Sequence, residues 1–158
     1  MIVYGSDKYL RPDREAKLKE IGVHILPAIE DSFPQVDVFA PCAMGGDLTE
    51  TSIPLIEQAG IYAVIGSANH QCKNGEPEVH LMHKLGVLWA IDHVVNRCGL
   101  LRVATEFPGL FNFHLEDLER EIVRTGTIVR ELFEMSLRDK IDMLEAERRY
   151  FGNVPLAA

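Results

Sequence analysis

Val36-Asp37-Val38-Phe39-Ala40-Pro41-Cys42-Ala43-Met44-Gly45-Gly46 is the stretch on which the reading of the fold turns. Val36, Val38 and Ala40 alternate with Asp37 and Phe39, the period of a strand that buries one face. Pro41 has no N–H to give to a sheet ladder, so the strand should stop there. Gly45 and Gly46 then allow a tight turn in close approach to another segment. Thr49, followed by Glu50 and by Ile53, Leu55 and Ile56, starts a helix that Gly60 closes. A strand that ends in a small-residue loop and feeds a helix is where open α/β sheets place ligands. The pattern then returns: the apolar run 61–65 breaks into Gly66-Ser67-Ala68-Asn69-His70. Both loops should open on the same edge of one sheet.

The remainder of the chain repeats the alternation. Residues 2–4 form a short apolar run that stops at Gly5-Ser6-Asp7, and Pro12 and Asp13 begin a helix with Ala16, Leu18 and Ile21 on its inner side, ended by Gly22. Residues 23–26 read as a second strand, 27–35 as a connection, 76–85 as a helix closed by Gly86, and 87–91 as a fifth strand. Strands alternating with helices imply right-handed crossovers and a parallel sheet. From Asp92 onward there is no strand signal. Asp92 should cap a helix through Val94, Val95, Leu100 and Val103, which Pro108 and Gly109 break. Residues 115–138 carry Leu118, Ile122, Thr125, Val129, Leu132, Phe133 and Met135 at steps of three and four, a long amphipathic helix, and a further short helix covers 141–150. The resulting division is an α/β part over 1–106, C-terminal helices over 107–150 and a frayed tail over 151–158.

At 158 residues, the chain is one domain by size. Hydrophobic residues make up 47% and charged residues 25%, as in soluble globular proteins. A net charge of −8 argues against nucleic acid and anionic membranes as partners. No apolar run approaches the roughly 20 residues of a membrane span, and the first residues lack the pattern of a secretory signal. Cys42, Cys72 and Cys98, an odd number at wide spacings, fit free thiols in a reducing cytoplasm. No spacing of zinc ligands is present.

The residues from Val38 to Gly46 resemble the central strand and loop of the glutamate/leucine/phenylalanine/valine dehydrogenases, nearest the leucine and phenylalanine branch. Gly66-Ser67-Ala68-Asn69-His70-Gln71 is similar to that family's next strand end, where a second asparagine is usual at the position of His70. The segment 81–99, with His83, Gly86, Asp92, Val94 and Asn96, resembles the family's succeeding segment, and the likeness extends over about 1–140. It implies a Rossmann-like parallel sheet that lacks the first βα unit, with long C-terminal helices. It implies NAD as cofactor and oxidative deamination of an L-amino acid, such as leucine or phenylalanine, as the parent reaction.

By this resemblance Asp7 falls where a carboxylate holds the adenosine ribose hydroxyls, and Ala43 and Met44 where the loop lies against the cofactor ribose. Asn69 falls where a side-chain amide meets the nicotinamide carboxamide, and Asn96 where an asparagine faces substrate and nicotinamide. The family's catalytic lysines and aspartate belong to a preceding domain, so the expectation is a piece that supplies cofactor-side groups and no catalytic residue of its own. The Gly-x-Gly-x-x-Gly turn is absent, so NAD binding should be weak or missing. Asn96-Arg97-Cys98-Gly99 stands where the family has Asn-Ala-Gly-Gly.

The residues themselves leave alternatives open. Asp7 reads equally as a turn residue, Asn69 as a turn cap and Asn96 as a surface or packing residue. His80 and His83, three apart, fit a solvated helix face better than a metal site. A missing central strand would leave 2–4 beside 36–40 across a gap. That gap must close by their direct pairing, by a second copy of the chain or by a partner. A homo-oligomer is therefore expected. The competing function is a non-catalytic binding or structural module that kept the fold.

Overall fold

A computed structural model of the chain describes residues 1–27, 33–107 and 114–152. The chain divides into two compact units, Met1–Pro34 and Gln35–Ala158. In the first, β1 (Val3–Gly5) and β2 (Val23–Ile25) are parallel, joined by α1 (Pro12–Glu20). Pro12 opens α1 because its missing N–H is one that a first turn leaves unpaired anyway. The expected inner side of α1 is thinly covered: Leu18 is half-buried, but Ala16 is exposed and Ile21 is 76% exposed.

In the second unit β3 (Val38–Phe39), β4 (Ala63–Val64) and β5 (Leu88–Trp89) form a parallel sheet in that order. Between them run α2 (Ser52–Gln58) and α3 (Glu76–Leu85), followed by α4 (Asp92–Val95), α5 (Arg97–Ala104), α6 (Leu115–Asp139) and α7 (Met143–Phe151). The fold is thus α/β with small parallel sheets and long C-terminal helices. The core gathers Ile53 and Ile56 of α2, Val64, Val79 and Met82 of α3, Ala90, Ile91, Ile128 and Leu132 of α6, and Ala146 of α7, all buried.

Several expectations change. The strands are shorter than the apolar runs that mark them, and they lie in two ladders rather than one sheet. Among the described residues β1 pairs with β2 in the first unit, and β3 with β4 and β4 with β5 in the second. Each ladder is closed by its own strand–helix–strand crossover. The stretch 36–40 is not the buried strand its alternation suggests: Val38 is 41% exposed and Ala40 is exposed, as befits an edge strand covered on few sides. Asp92 is not the cap of its helix: Ile91 is, and Asp92 is the first helical residue. The expected continuous helix is two, α4 and α5, which meet at Asn96 (φ −90°, ψ −1°).

Helix α6 has the predicted length with a shifted stripe. Thr125, Ile128, Leu132 and Ser136 are buried, while Ile122 is 54% exposed. Thr125 and Ser136 satisfy their hydroxyls locally: Thr125 Oγ1 donates to the Glu121 carbonyl at 2.8 Å and Ser136 Oγ to the Ile141 carbonyl at 2.6 Å. That is why two polar side chains can line a buried face. Asp142 caps α7 by accepting from the Glu145 N–H at 2.9 Å. The predicted break at Pro108 and Gly109 and the tail from 153 lie outside the described residues.

Candidate functional site

The loops after β3 and β4 leave the same edge of the sheet, because the two strands are parallel and in register. They are laced together. Gly46 N–H donates to the His70 carbonyl at 2.8 Å, Leu48 N–H to the Gln71 carbonyl at 3.0 Å, Lys73 N–H to the Leu48 carbonyl at 3.0 Å and Ala68 N–H to the Pro41 carbonyl at 3.0 Å. The glycines are fixed by this approach. A Cβ on Gly66 would stand 2.1 Å from the Pro41 carbonyl oxygen, and one on Gly45 2.1 Å from that of Asn69. No side chain survives such contact, so these two positions require glycine if the loops are to touch. At the far end, Thr49 and Ser52, the first residue of α2, bond each other reciprocally. Ser52 N–H donates to Thr49 Oγ1 at 3.0 Å and Thr49 N–H to Ser52 Oγ at 2.9 Å.

Gln71 holds the loop from inside. Its side chain is fully buried, with Nε2 donating to the carbonyls of Gly66 (2.8 Å) and Ala68 (3.1 Å) and Oε1 accepting from Trp89 Nε1 at 3.0 Å. The same residue's N–H donates to Asp92 Oδ2 at 3.1 Å. His70, just before it, takes φ 51°, the left-handed region where asparagine is the more comfortable non-glycine residue.

These loops bring Asn69 together with Asn96. Asn96 Nδ2 donates to Asn69 Oδ1, and both residues lie at the sheet edge, Asn96 at the junction of α4 and α5. Asn69 is exposed and Asn96 half-buried. That bond leaves one amide group of Asn69 (Nδ2, a donor) and one oxygen of Asn96 (Oδ1, an acceptor) without other partners among the described residues. A donor beside an acceptor is the complement of a primary carboxamide. Ala43 and Met44 lie in the adjoining loop, exposed, Met44 at 96%. Asp7 belongs to the other unit. It follows β1, is exposed, and accepts from the Tyr9 N–H at 2.8 Å, so its turn role is observed.

The electrostatics concentrate one layer back. Burial pushes the Asp92 carboxyl up, but hydrogen bonds from the His93 side chain, the Gln71 N–H and the His93 N–H outweigh it and hold it below its ordinary value. Asp92 and Glu147 together raise the His93 imidazole to about 9 against the opposing effect of burial. Glu147 is buried on α7, with Oε1 2.5 Å from His93 Nε2. Burial, then the charges of Glu78 and Asp92, push the Cys72 thiol up to about 12, which makes it inert at neutral pH. Cys98 Sγ lies 3.6 Å from Thr125 Oγ1 of α6, beside Arg97, which is bonded to Thr125 and Glu121 at 2.8 Å each. The Arg97-Cys98 pair that departs from the family pattern therefore serves the α5–α6 contact.

Two other features stay outside this site. A cavity of about 170 Å³ between α3, β5, α6 and α7 is lined by Met82, Trp89, Leu137 and Met143, among others, and by none of the named site residues. His80 meets Asp142 at 3.0 Å. Among the described residues no three His, Cys, Asp or Glu side chains are placed to hold a metal ion, and no helix is long and apolar enough to cross a membrane. In the sequence Gln71 stands out only as part of a motif, and His93 and Glu147 do not stand out at all. Nothing local joins residues 54 positions apart, so that pairing exists only in the fold.

Comparison with known proteins agrees with the motifs. The chain is 35% identical over 138 residues to a phenylalanine dehydrogenase of Lysinibacillus sphaericus, a match covering 84% of this chain and 34% of that protein. It is 31% identical over 116 residues to a leucine dehydrogenase of Geobacillus stearothermophilus, covering 73% of this chain and 29% of that one. The crystal structure of L-tryptophan dehydrogenase from Nostoc punctiforme superposes with a TM-score of 0.79 at 26% identity, over 94% of this chain and 42% of that one. The chain is homologous to part of the amino-acid dehydrogenases. It spans about a third of the length of the curated relatives it matches, in their C-terminal region. No family model matches it.

Proposed function

We propose that this chain forms the NAD side of an amino-acid dehydrogenase site, working on an L-amino acid such as leucine or phenylalanine. The observation that carries the reading is the hydrogen-bonded Asn69–Asn96 pair at the edge of a parallel sheet, in which Asn69 Nδ2 and Asn96 Oδ1 have no other partner among the described residues. A nicotinamide carboxamide offers the matching acceptor and donor. NAD, when bound, accepts a hydride from the carbon bearing the substrate amine. The chain's own residues orient the ring: Asn69 and Asn96 hold its amide, and Ala43 and Met44 lie along the ribose. Asp7, one of whose carboxylate oxygens accepts from the Tyr9 N–H, is the residue that by its place in the motif would accept the adenosine ribose hydroxyls.

This chain contributes no catalytic residue in this reading: Asp7, Ala43, Met44 and Asn69 match the family's cofactor side, and Asn96 faces substrate and nicotinamide. Substrate charge and protons are handled by a catalytic domain that works with it, and the chain assembles into a homo-oligomer. The affinity for NAD expected of this stretch is weak, about 0.1–1 mM, worth roughly 4–5.5 kcal/mol. Isothermal titration of the chain with NAD tests the reading. Saturable binding weakened in Asn69→Ala and Asn96→Ala supports it, and absence of heat up to several millimolar removes it. Turnover of leucine or phenylalanine by the purified chain would overturn the division of labour.

A further inference from the structure

We infer that Glu147 and His93 are positioning residues for the loop that carries Asn69, acting through the carboxylate of Asp92. This role deepens the proposed site and rests on it only for what the loop binds. Asp92 touches both halves of that site. Its Oδ2 accepts from the Gln71 N–H at 3.1 Å, two residues from Asn69, and its backbone carbonyl accepts from the Asn96 N–H at 2.9 Å. Its orientation therefore fixes where the two asparagines stand relative to each other. Asp92 Oδ1 in turn accepts from the His93 N–H at 2.6 Å and lies 3.4 Å from His93 Nδ1, while His93 Nε2 is 2.5 Å from Glu147 Oε1.

The imidazole is thus clamped between two carboxylates, one on its own helix and one on α7. A doubly hydrogen-bonded, positively charged imidazole keeps Asp92 ionised and pinned. An ionised Asp92 is the better acceptor for the Gln71 N–H. Glu147 is buried, and among the described residues His93 is its hydrogen-bond partner, so α7 reaches the loop by this route. The charged groups facing His93 from the packed elements are Asp92 and Glu147, and the charges of Asp92 and Glu78 both act on Cys72.

The test uses the full chain and two readouts. Backbone amide exchange at pH 7 is measured for the native sequence, for Glu147→Gln and for Glu145→Gln, which alters a surface ion pair of the same helix with Arg148 and Arg149. Glu147→Gln should speed exchange at Gln71 and Leu48 about 10-fold relative to Ile65 and Ala90 in the sheet, and Glu145→Gln should not. Second, the emission of Trp89, the single tryptophan, is followed against pH in the native chain, because its ring N–H is held by Gln71. A transition with midpoint near 9, matching the His93 imidazole signal and lost in Asp92→Asn, is expected. Uniform acceleration of all amides, or acceleration confined to α7, overturns the inference. So does a Trp89 profile that ignores His93, and this second readout decides alone if Glu147→Gln does not fold. Failure of the native chain to bind NAD removes the proposed cofactor and leaves these outcomes intact.

Discussion

Alanine at Gly45 and alanine at Gly46 make a matched pair of perturbations with different predicted costs. Both glycines have positive φ, 86° and 76°, so each substitution carries the strain of a left-handed alanine, roughly 1 kcal/mol. They differ in what the new methyl meets. At Gly46 nothing lies within 4 Å, whereas at Gly45 the Cβ would stand 2.1 Å from the Asn69 carbonyl oxygen and 2.9 Å from that of His70. Relieving the closer contact means moving the Asn69 peptide by about 1 Å, which strains the neighbouring Gly46–His70 bond. Overpacking of this kind costs about 1–3 kcal/mol. Gly45→Ala should therefore lose about 3 kcal/mol and Gly46→Ala about 1 kcal/mol. At about 2–4 °C per kcal/mol for a chain of this size, the two variants should melt roughly 4–8 °C apart. Thermal unfolding followed by circular dichroism measures the gap. Because the displaced peptide belongs to Asn69, only Gly45→Ala should also disturb the Asn69–Asn96 pair, seen in the side-chain amide signals. Equal melting of the two variants would refute the claim that the two loops touch.

The other predictions concern the layer behind that contact. Gln71→Leu leaves the Trp89 N–H and the Gly66 and Ala68 carbonyls without their buried partner and should cost about 3 kcal/mol, read as a shift in the urea midpoint of Trp89 emission. His93 is raised from 6.5 to about 9 in the folded chain, so the stability it confers is complete below about pH 6.5 and is lost as pH rises through about 9. Because that side chain is 48% exposed, solvent screening reduces the effect to about 1 kcal/mol, and Glu147→Gln should flatten the slope in urea titrations between those values. Of the thiols, exposed Cys42 should react with a disulfide reagent at pH 8 well before Cys72, whose thiolate fraction there is about 10⁻⁴. Comparable rates, measured by mass spectrometry of the labelled chain, would contradict the burial of Cys72.

Elements with strong local punctuation are legible in the sequence. Helix 76–85 has the bounds its sequence implies because Pro77 and Gly86 mark its two ends, and Gly86 indeed takes φ 76°. The long C-terminal helix is evident from its period, yet that period misplaces Ile122 in the buried stripe. The period does include Thr125, whose hydroxyl bonds the Glu121 carbonyl, but it omits Ser136, which is buried with its hydroxyl on the Ile141 carbonyl beyond the helix end, and a hydrophobicity pattern does not see that. The break at Asn96 is invisible in the sequence because apolar residues continue on both sides, while Asp92 and Arg97 on either side of it hold different partners, Gln71 and Thr125. Asn69 and Asn96 are singled out by the resemblance, and the fold does bring them into hydrogen bond. The His93–Glu147 clamp joins helices far apart in sequence, so it has no local signature. The division into two ladders likewise depends on which strand edges meet, which no single stretch encodes.

One titration bears most directly on the cofactor-side role of this chain. NAD is added to the native chain and to Asn69→Ala, Asn96→Ala and Asp7→Ala, with the two asparagine signals followed alongside the heat. Saturable binding of about 0.1–1 mM is expected, with perturbation of both asparagine side-chain amides and at least a 5-fold weaker constant in each variant. Binding that leaves both asparagine signals unmoved, or no binding at all, would contradict that role.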